Sequence, residues 1–211
     1  MQLSANTTIL EVQRLMQKYD NWESTQAATG EAETLEPGNY VCKIMGAKVV
    51  TYNGKNGKFD KLEISVDIDE GKYKGFYARD YRSQSQWGDS KWKGCLRPYC
   101  PTNEDTDQAR RTAAIFKGII EAIESSNPGY KWNWDEGTLK GKKVGVRFRS
   151  TEWNYNGRSG WKTQPYRFVP VKGIEELDIP KEKPLPDSKK QTSEKSSDGF
   201  QDLPDDDDLP F

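Results

Sequence analysis

Phe59-Asp60-Lys61-Leu62-Glu63-Ile64-Ser65-Val66-Asp67-Ile68 is the stretch that decides the fold class of this chain. Leu62, Ile64, Val66 and Ile68 alternate with Lys61, Glu63, Ser65 and Asp67. That period of two is the pattern of a strand with one face buried and one face wet. Upstream, Asn53-Gly54-Lys55-Asn56-Gly57 is a turn signal, and Tyr40, Cys42 and Ile44 alternate within residues 39–51. The two segments are therefore expected to form a hairpin. Downstream, Glu70-Gly71 marks another turn, and residues 72–82 are expected as a third strand. In that strand Tyr73, Tyr77, Arg79 and Tyr81 would share one face, with Gly75 clearing space.

Working outward, residues 83–105 read as a long irregular stretch holding Trp87, Trp92, Cys95 and Cys100. Residues 106–127 predict a helix: Ala109, Ala113, Phe116, Ile119, Ile120 and Ile123 form an apolar stripe, and Asn127-Pro128-Gly129 stops it. Two more strands follow, at 142–153 and 161–171, on either side of a turn at 154–160. Val144, Val146 and Phe148 face one way along the first of them, and Lys143, Arg147 and Arg149 the other. The order β-β-β-α-β-β predicts a mainly β (α+β) domain, an OB-fold: a five-stranded antiparallel barrel with a helix between strands 3 and 4. A generic α+β domain has the same inventory.

Three segments result. Residues 1–36 hold an amphipathic helix over 8–22, with Thr8 and Glu11 fitting a capping box, and a small, polar linker. Residues 37–173 are the OB-type domain. Residues 174–211 combine Pro180, Pro184, Pro186 and many Ser and Lys with almost no aliphatic periodicity, and are expected to be a disordered linker and acidic tail.

Charge divides along the same lines. The net charge is −1, but residues 175–211 carry 12 acidic and 5 basic side chains, and residues 1–174 carry 21 acidic and 27 basic. A body of +6 with a tail of −7 suits a polyanion ligand and a separate interaction element. Hydrophobic residues are only 33% of the chain, yet it has 7 Trp, 10 Tyr and 7 Phe, rings that can fill a small barrel or offer faces to a ligand. Single-strand binders combine a basic groove with rings on which bases stack. Candidate DNA contacts are Tyr73, Tyr77, Arg79, Tyr81 and Arg82 in strand three, and Arg147, Arg149 and Trp153 in strand four. The turns add Tyr52, Lys55, Lys58, Tyr155, Arg158 and Trp161, and the long loop adds Trp87, Lys91, Trp92, Lys93 and Arg97.

Catalysis is not expected. The chain has no histidine, the commonest general base and zinc ligand. Cys95 and Cys100 with the distant Cys42 do not complete a metal site, no Asp/Glu cluster suggests two-metal chemistry, and no phosphate loop appears. Neither a metal nor another cofactor is expected. Three cysteines do not form a disulfide framework, residues 1–9 lack a secretory pattern, and no apolar run reaches membrane length. A cytoplasmic location is expected.

The terminus Asp205-Asp206-Asp207-Asp208-Leu209-Pro210-Phe211 sets an apolar hook and a carboxylate after an acidic run, a shape that a pocket with a nearby cation can take. It resembles the C-terminal peptide of bacterial single-stranded DNA-binding proteins. The body is similar to a phage-encoded family of OB-fold single-strand binders. That likeness is carried by Glu36-Pro37-Gly38-Asn39-Tyr40, Gly71-Lys72-Tyr73-Lys74-Gly75, Leu139-Lys140-Gly141-Lys142-Lys143-Val144-Gly145-Val146 and Tyr155-Asn156-Gly157. The resemblance implies binding of single-stranded DNA in replication, recombination or repair within a bacterial host cell. It also implies recruitment of host or phage replication proteins through residues 205–211. Homo-oligomers are compatible with it. Two other classes fit parts of the pattern: an aromatic-rich carbohydrate-binding module, and an accessory subunit of a recombination nuclease.

Overall fold

The alternating segment forms the strand it predicts. In the computed structural model, which describes residues 18, 20, 22–24, 33–54, 57–85, 88 and 90–186, strand β2 (Gly57–Ile68) pairs antiparallel with β1 (Gly38–Gly54). Cys42 faces Ile68, Ile44 faces Val66, Ala47 faces Ile64 and Val49 faces Leu62, so these pairs line one side of the ladder. The register shifts between Ile44 and Gly46. Such a bulge bends a strand and increases its twist, and here it lets β1 serve two neighbours. Its first half also pairs with β4 (Lys143–Tyr155), from Gly38 opposite Phe148 to Lys43 opposite Lys143. Strand β5 (Arg158–Val169) returns along β4 through a tight turn at Asn156 (φ 49°) and Gly157 (φ 73°), the left-handed pair of a type I′ hairpin.

The described residues are mainly β: an open five-stranded antiparallel sheet in the order β3-β2-β1-β4-β5, with two α-helices. Among the described residues no helix is long and apolar enough to cross a membrane.

Strand three is where the structure departs from the sequence pattern. Residues 72–75 form a turn, and residues Phe76–Ser85 are helix α1. The strand in third place is the two-residue β3 (Cys95–Leu96), inside the stretch expected to be irregular. Tyr73, Tyr77 and Tyr81 are spaced by four, which satisfies both a period of two and one of 3.6. A distant residue settles the matter. The Asp67 carboxylate on β2 accepts hydrogen bonds from the backbone N–H of Tyr77 (2.9 Å) and Ala78 (3.2 Å), in the first turn of α1. It therefore caps the helix from outside its own sequence.

Helix α2 (Asp107–Ser126) matches its predicted stripe closely, burying Ala109, Phe116, Ile119, Ile120, Ala122 and Ile123. The Thr106 side chain caps it by accepting from Ala109 N–H at 3.1 Å. At its other end Asn127 donates to the carbonyls of Ile123 and Lys143 and accepts from Lys143 N–H, which fixes where β4 begins. The core lies between the helices and one side of the sheet. It contains Cys42, Ile44, Leu62, Ile64, Val66, Val144, Val146 and Phe148. Each such side chain contributes about 1.5–3 kcal/mol by leaving water.

The expected linker begins later than residue 174. Ile174 and Pro180 are buried, and Ile174 sits so close to Gly145 that a Cβ there would lie 2.7 Å from its Cδ1. Asn39 donates to the carbonyls of Leu177 (2.8 Å) and Asp178 (3.2 Å), and Arg147 to that of Asp178 (3.0 Å). Lys183 then forms a parallel bridge with Thr151, exchanging bonds with Ser150 and Glu152 on the edge of β4 that β1 leaves free. Residues 174–186 are thus a strap on the sheet. They compensate for scarce aliphatics with backbone hydrogen bonds. The helix expected over 8–22, apart from positions 18, 20 and 22, and the tail from 187 onward lie outside the described residues; Trp22–Ser24 form a short 3-10 turn.

Candidate nucleic-acid interface

The side of the sheet away from the core carries a group of rings and cations. Register puts Tyr52 opposite Phe59, Val50 opposite Lys61 and Lys48 opposite Glu63 on that outer face. The Tyr52 and Phe59 rings stack at 5.7 Å with an interplanar angle of 11°, and Tyr99, from the segment after β3, lies 5.3 Å from Phe59. Lys61 Nζ sits 3.8 Å from the Tyr99 ring centre, a cation–π contact that holds the ring and adds positive charge beneath it. Three rings and a lysine form one continuous platform.

Glu63 organises the cations around this platform. Its carboxylate accepts from Tyr52 Oη at 2.7 Å and from Arg97 Nε at 2.8 Å, and pairs with Lys48 at 3.4 Å. Partial burial alone would raise its pKa. The bonds from Arg97, Tyr52 and Lys48 outweigh burial and hold it below the ordinary carboxylate value. Partial burial and the bond to Glu63 push the Tyr52 phenol up. Tyr52 therefore stays a neutral donor with its ring orientation fixed.

A second cationic group lies where β3 and β5 approach. Lys93 pairs with Asp80 of α1 at 2.9 Å, and Lys162 of β5 lies in the field of Lys93 and Arg97. Lys162 is exposed, yet partial desolvation and then those two cations, opposed by Asp80, hold its ammonium below the ordinary lysine value. Beside them Tyr81 and Trp92 meet at 5.7 Å, with Trp92 Nε1 donating to the Val66 carbonyl at 3.0 Å. Gly94 makes this approach possible, since a Cβ there would lie 2.5 Å from the Tyr77 ring.

The residues expected to contact DNA fall into several groups. Tyr52, Tyr81 and Lys93 belong to the surfaces just described, whereas Trp92 is half-buried and packs against the core. Tyr73 and Tyr77 do not belong to those surfaces: they are 4% and 3% exposed and form part of the core, Tyr77 stacking on Phe148 at 6.2 Å. They offer no face to a base, a correction that follows from α1 replacing the third strand. Arg79 and Arg82 are exposed on α1, and Arg79 bonds the Lys74 carbonyl. Lys58 is exposed at the β1–β2 tip. Arg147 is engaged with Asn39 and the strap, and Arg149 lies 4.6 Å from the Tyr166 ring. At the β4–β5 tip Trp153 lies opposite Gly160 and Tyr155 opposite Arg158 on the outer face, whereas Trp161, opposite Glu152, is on the other side. The three tip rings therefore do not make one surface. Lys55, Trp87 and residues 205–211 lie outside the described residues.

Phe59, Lys61, Tyr99 and Lys162 were not singled out by sequence pattern. Phe59 and Lys61 sit in the decisive strand, where register with Tyr52 could have exposed them. Also unanticipated is an aromatic cluster away from the sheet, where Trp132, Trp134 and Phe116 lie within 6.4 Å of one another. Trp134 is 72% exposed and has φ 67°.

Cys42 is buried, which pushes its thiol pKa up, and Cys95 and Cys100 are half-buried free thiols. Among the described residues no group of three or more Cys, Asp or Glu side chains could hold a metal ion. No protein-family model matches the chain, and no curated protein matches it.

Proposed function

We propose that this protein binds single-stranded DNA on the outer face of its sheet, stoichiometrically and with little sequence preference. The observation that carries this reading is the Tyr52–Phe59–Tyr99 platform flanked by the exposed Lys48 and Arg97, with the buried Lys61 against the Tyr99 ring. Flat rings accept any base, and flanking cations take phosphates, which is the combination single-strand binding needs. The strand order β3-β2-β1-β4-β5 is that of an OB barrel opened between its third and fifth strands. OB-folds bind oligonucleotides on the face of strands two and three and on the loops joining strands one to two and four to five. Those positions correspond here to the platform, to the tip with Lys58 and to the tip with Trp153, Tyr155 and Arg158.

In this account residues 205–211 recruit replication and repair proteins, as the likeness of that peptide to the ends of bacterial single-strand-binding proteins suggests. The setting would be phage DNA replication, recombination or repair. Tethering through the same chain would raise the local concentration of the recruited enzyme near the bound strand.

A tryptophan-fluorescence titration with oligo-dT and, separately, with soluble glycans tests the assignment. Saturable quenching by oligo-dT alone is expected. Quenching by glycans alone would make the exposed rings a carbohydrate surface.

A further inference from the structure

The two ends of the sheet, β3 and β5, come within contact distance but share no hydrogen-bonded ladder. Their outward side chains are cationic. Cys95 lies opposite Ser65 and Leu96 opposite the core residue Ile64, so Lys93 and Arg97 fall on the outer side with Cys95. Lys162, opposite Thr151, is on the outer side of β5, because the core-facing positions there are Phe168 and Pro165. The available carboxylates are already engaged, Asp80 with Lys93 at 2.9 Å and Glu63 with Arg97 at 2.8 Å. Lys162 has no carboxylate within ion-pair distance among the described residues.

We propose that this seam is a phosphate-binding site, in which Lys93, Arg97 and Lys162 converge on one phosphodiester group that bridges the two unpaired edges of the sheet. The ligand class rests on the single-strand reading above; the site itself rests on the seam. Backbone hydrogen bonds do not join β3 to β5, so the phosphate supplies the link. Lys93 and Arg97 disfavour a charged ammonium at the exposed Lys162, and an anion held among the three reverses the sign of that interaction.

The test compares the full-length protein with Lys162→Gln and Lys162→Arg. Thermal unfolding is followed in sodium chloride and in inorganic phosphate at matched ionic strength, and oligo-dT binding is followed by fluorescence anisotropy across a salt series. Lys162→Gln should lose the stabilisation by phosphate and lower the salt slope of oligo-dT binding by about one phosphate contact. Lys162→Arg should keep both responses. A Lys162→Gln protein with wild-type stabilisation by phosphate and an unchanged salt slope overturns the proposal. If oligo-dT binds none of the three proteins, the single-strand reading fails, and the phosphate series still decides the seam.

Discussion

Asp67→Ala probes how the sheet holds the segment that sequence pattern assigned to a strand. The Asp67 side chain is 7% exposed and accepts from three backbone amides, Ile68 and Tyr77 at 2.9 Å and Ala78 at 3.2 Å. Loss of an N-cap costs about 0.5–2 kcal/mol. Stranding a buried donor, here the Ile68 N–H, costs about 1–3 kcal/mol more. The sum is about 1.5–5 kcal/mol, a fall of about 3–20 °C in the unfolding midpoint for a chain of this size. Asp67→Asn, which keeps one accepting oxygen, should fall in between. Circular dichroism with a thermal ramp measures the shift. Tryptophan emission should also move red before the main transition, because Trp92 rests against Tyr77 and Tyr81 of α1. An Asp67→Ala protein that melts within about 1 °C of wild type would refute external capping as the reason residues 76–85 are helical.

Three further outcomes are expected. Phe59→Ala removes the middle ring of the platform and should weaken oligo-dT binding by about 1–3 kcal/mol, measured by anisotropy, with circular dichroism confirming the fold; unchanged affinity would place the bases elsewhere. Because the folded-state pKa of Glu63 is depressed, its contribution to stability is complete above its ordinary value of 4.5 and is lost as pH falls through the folded value. The stability gap between wild type and Glu63→Gln, read from urea titrations, should therefore close on acidification; a gap independent of pH contradicts the bonding at Glu63. At Gly160 a Cβ would lie 3.2 Å from the Trp153 ring. Gly160→Val should lift that ring, shift tryptophan emission and weaken binding with little loss of stability; no emission change would mean that Trp153 does not rest there.

The sequence made much of this architecture legible. Alternation in 59–68 and 143–148 announced the buried faces, and the apolar stripe with Thr106 and Asn127 marked α2 nearly to the residue. What failed was the segment around Tyr73, Tyr77 and Tyr81, where a spacing of four fits two periods and a carboxylate on another strand decides between them. The strap was hidden for a similar reason. Its stability comes from backbone bonds to Asn39, Arg147 and β4, which leave no hydrophobic period in residues 174–186. Within the site, Tyr52 could be read from its turn, but Phe59 and Tyr99 become its partners only through strand register and the path of the chain after β3. Lys162 is distant in sequence from Lys93 and Arg97, so no local pattern could join them.

Equilibrium binding of the full-length protein to single-stranded and duplex DNA of the same sequence, at two salt concentrations, tests the central claim most directly. The account predicts a clear preference for the single strand, with affinity falling steeply as salt rises because bound phosphates release counterions. Equal affinity for single strand and duplex, or single-strand binding that ignores salt, would contradict it.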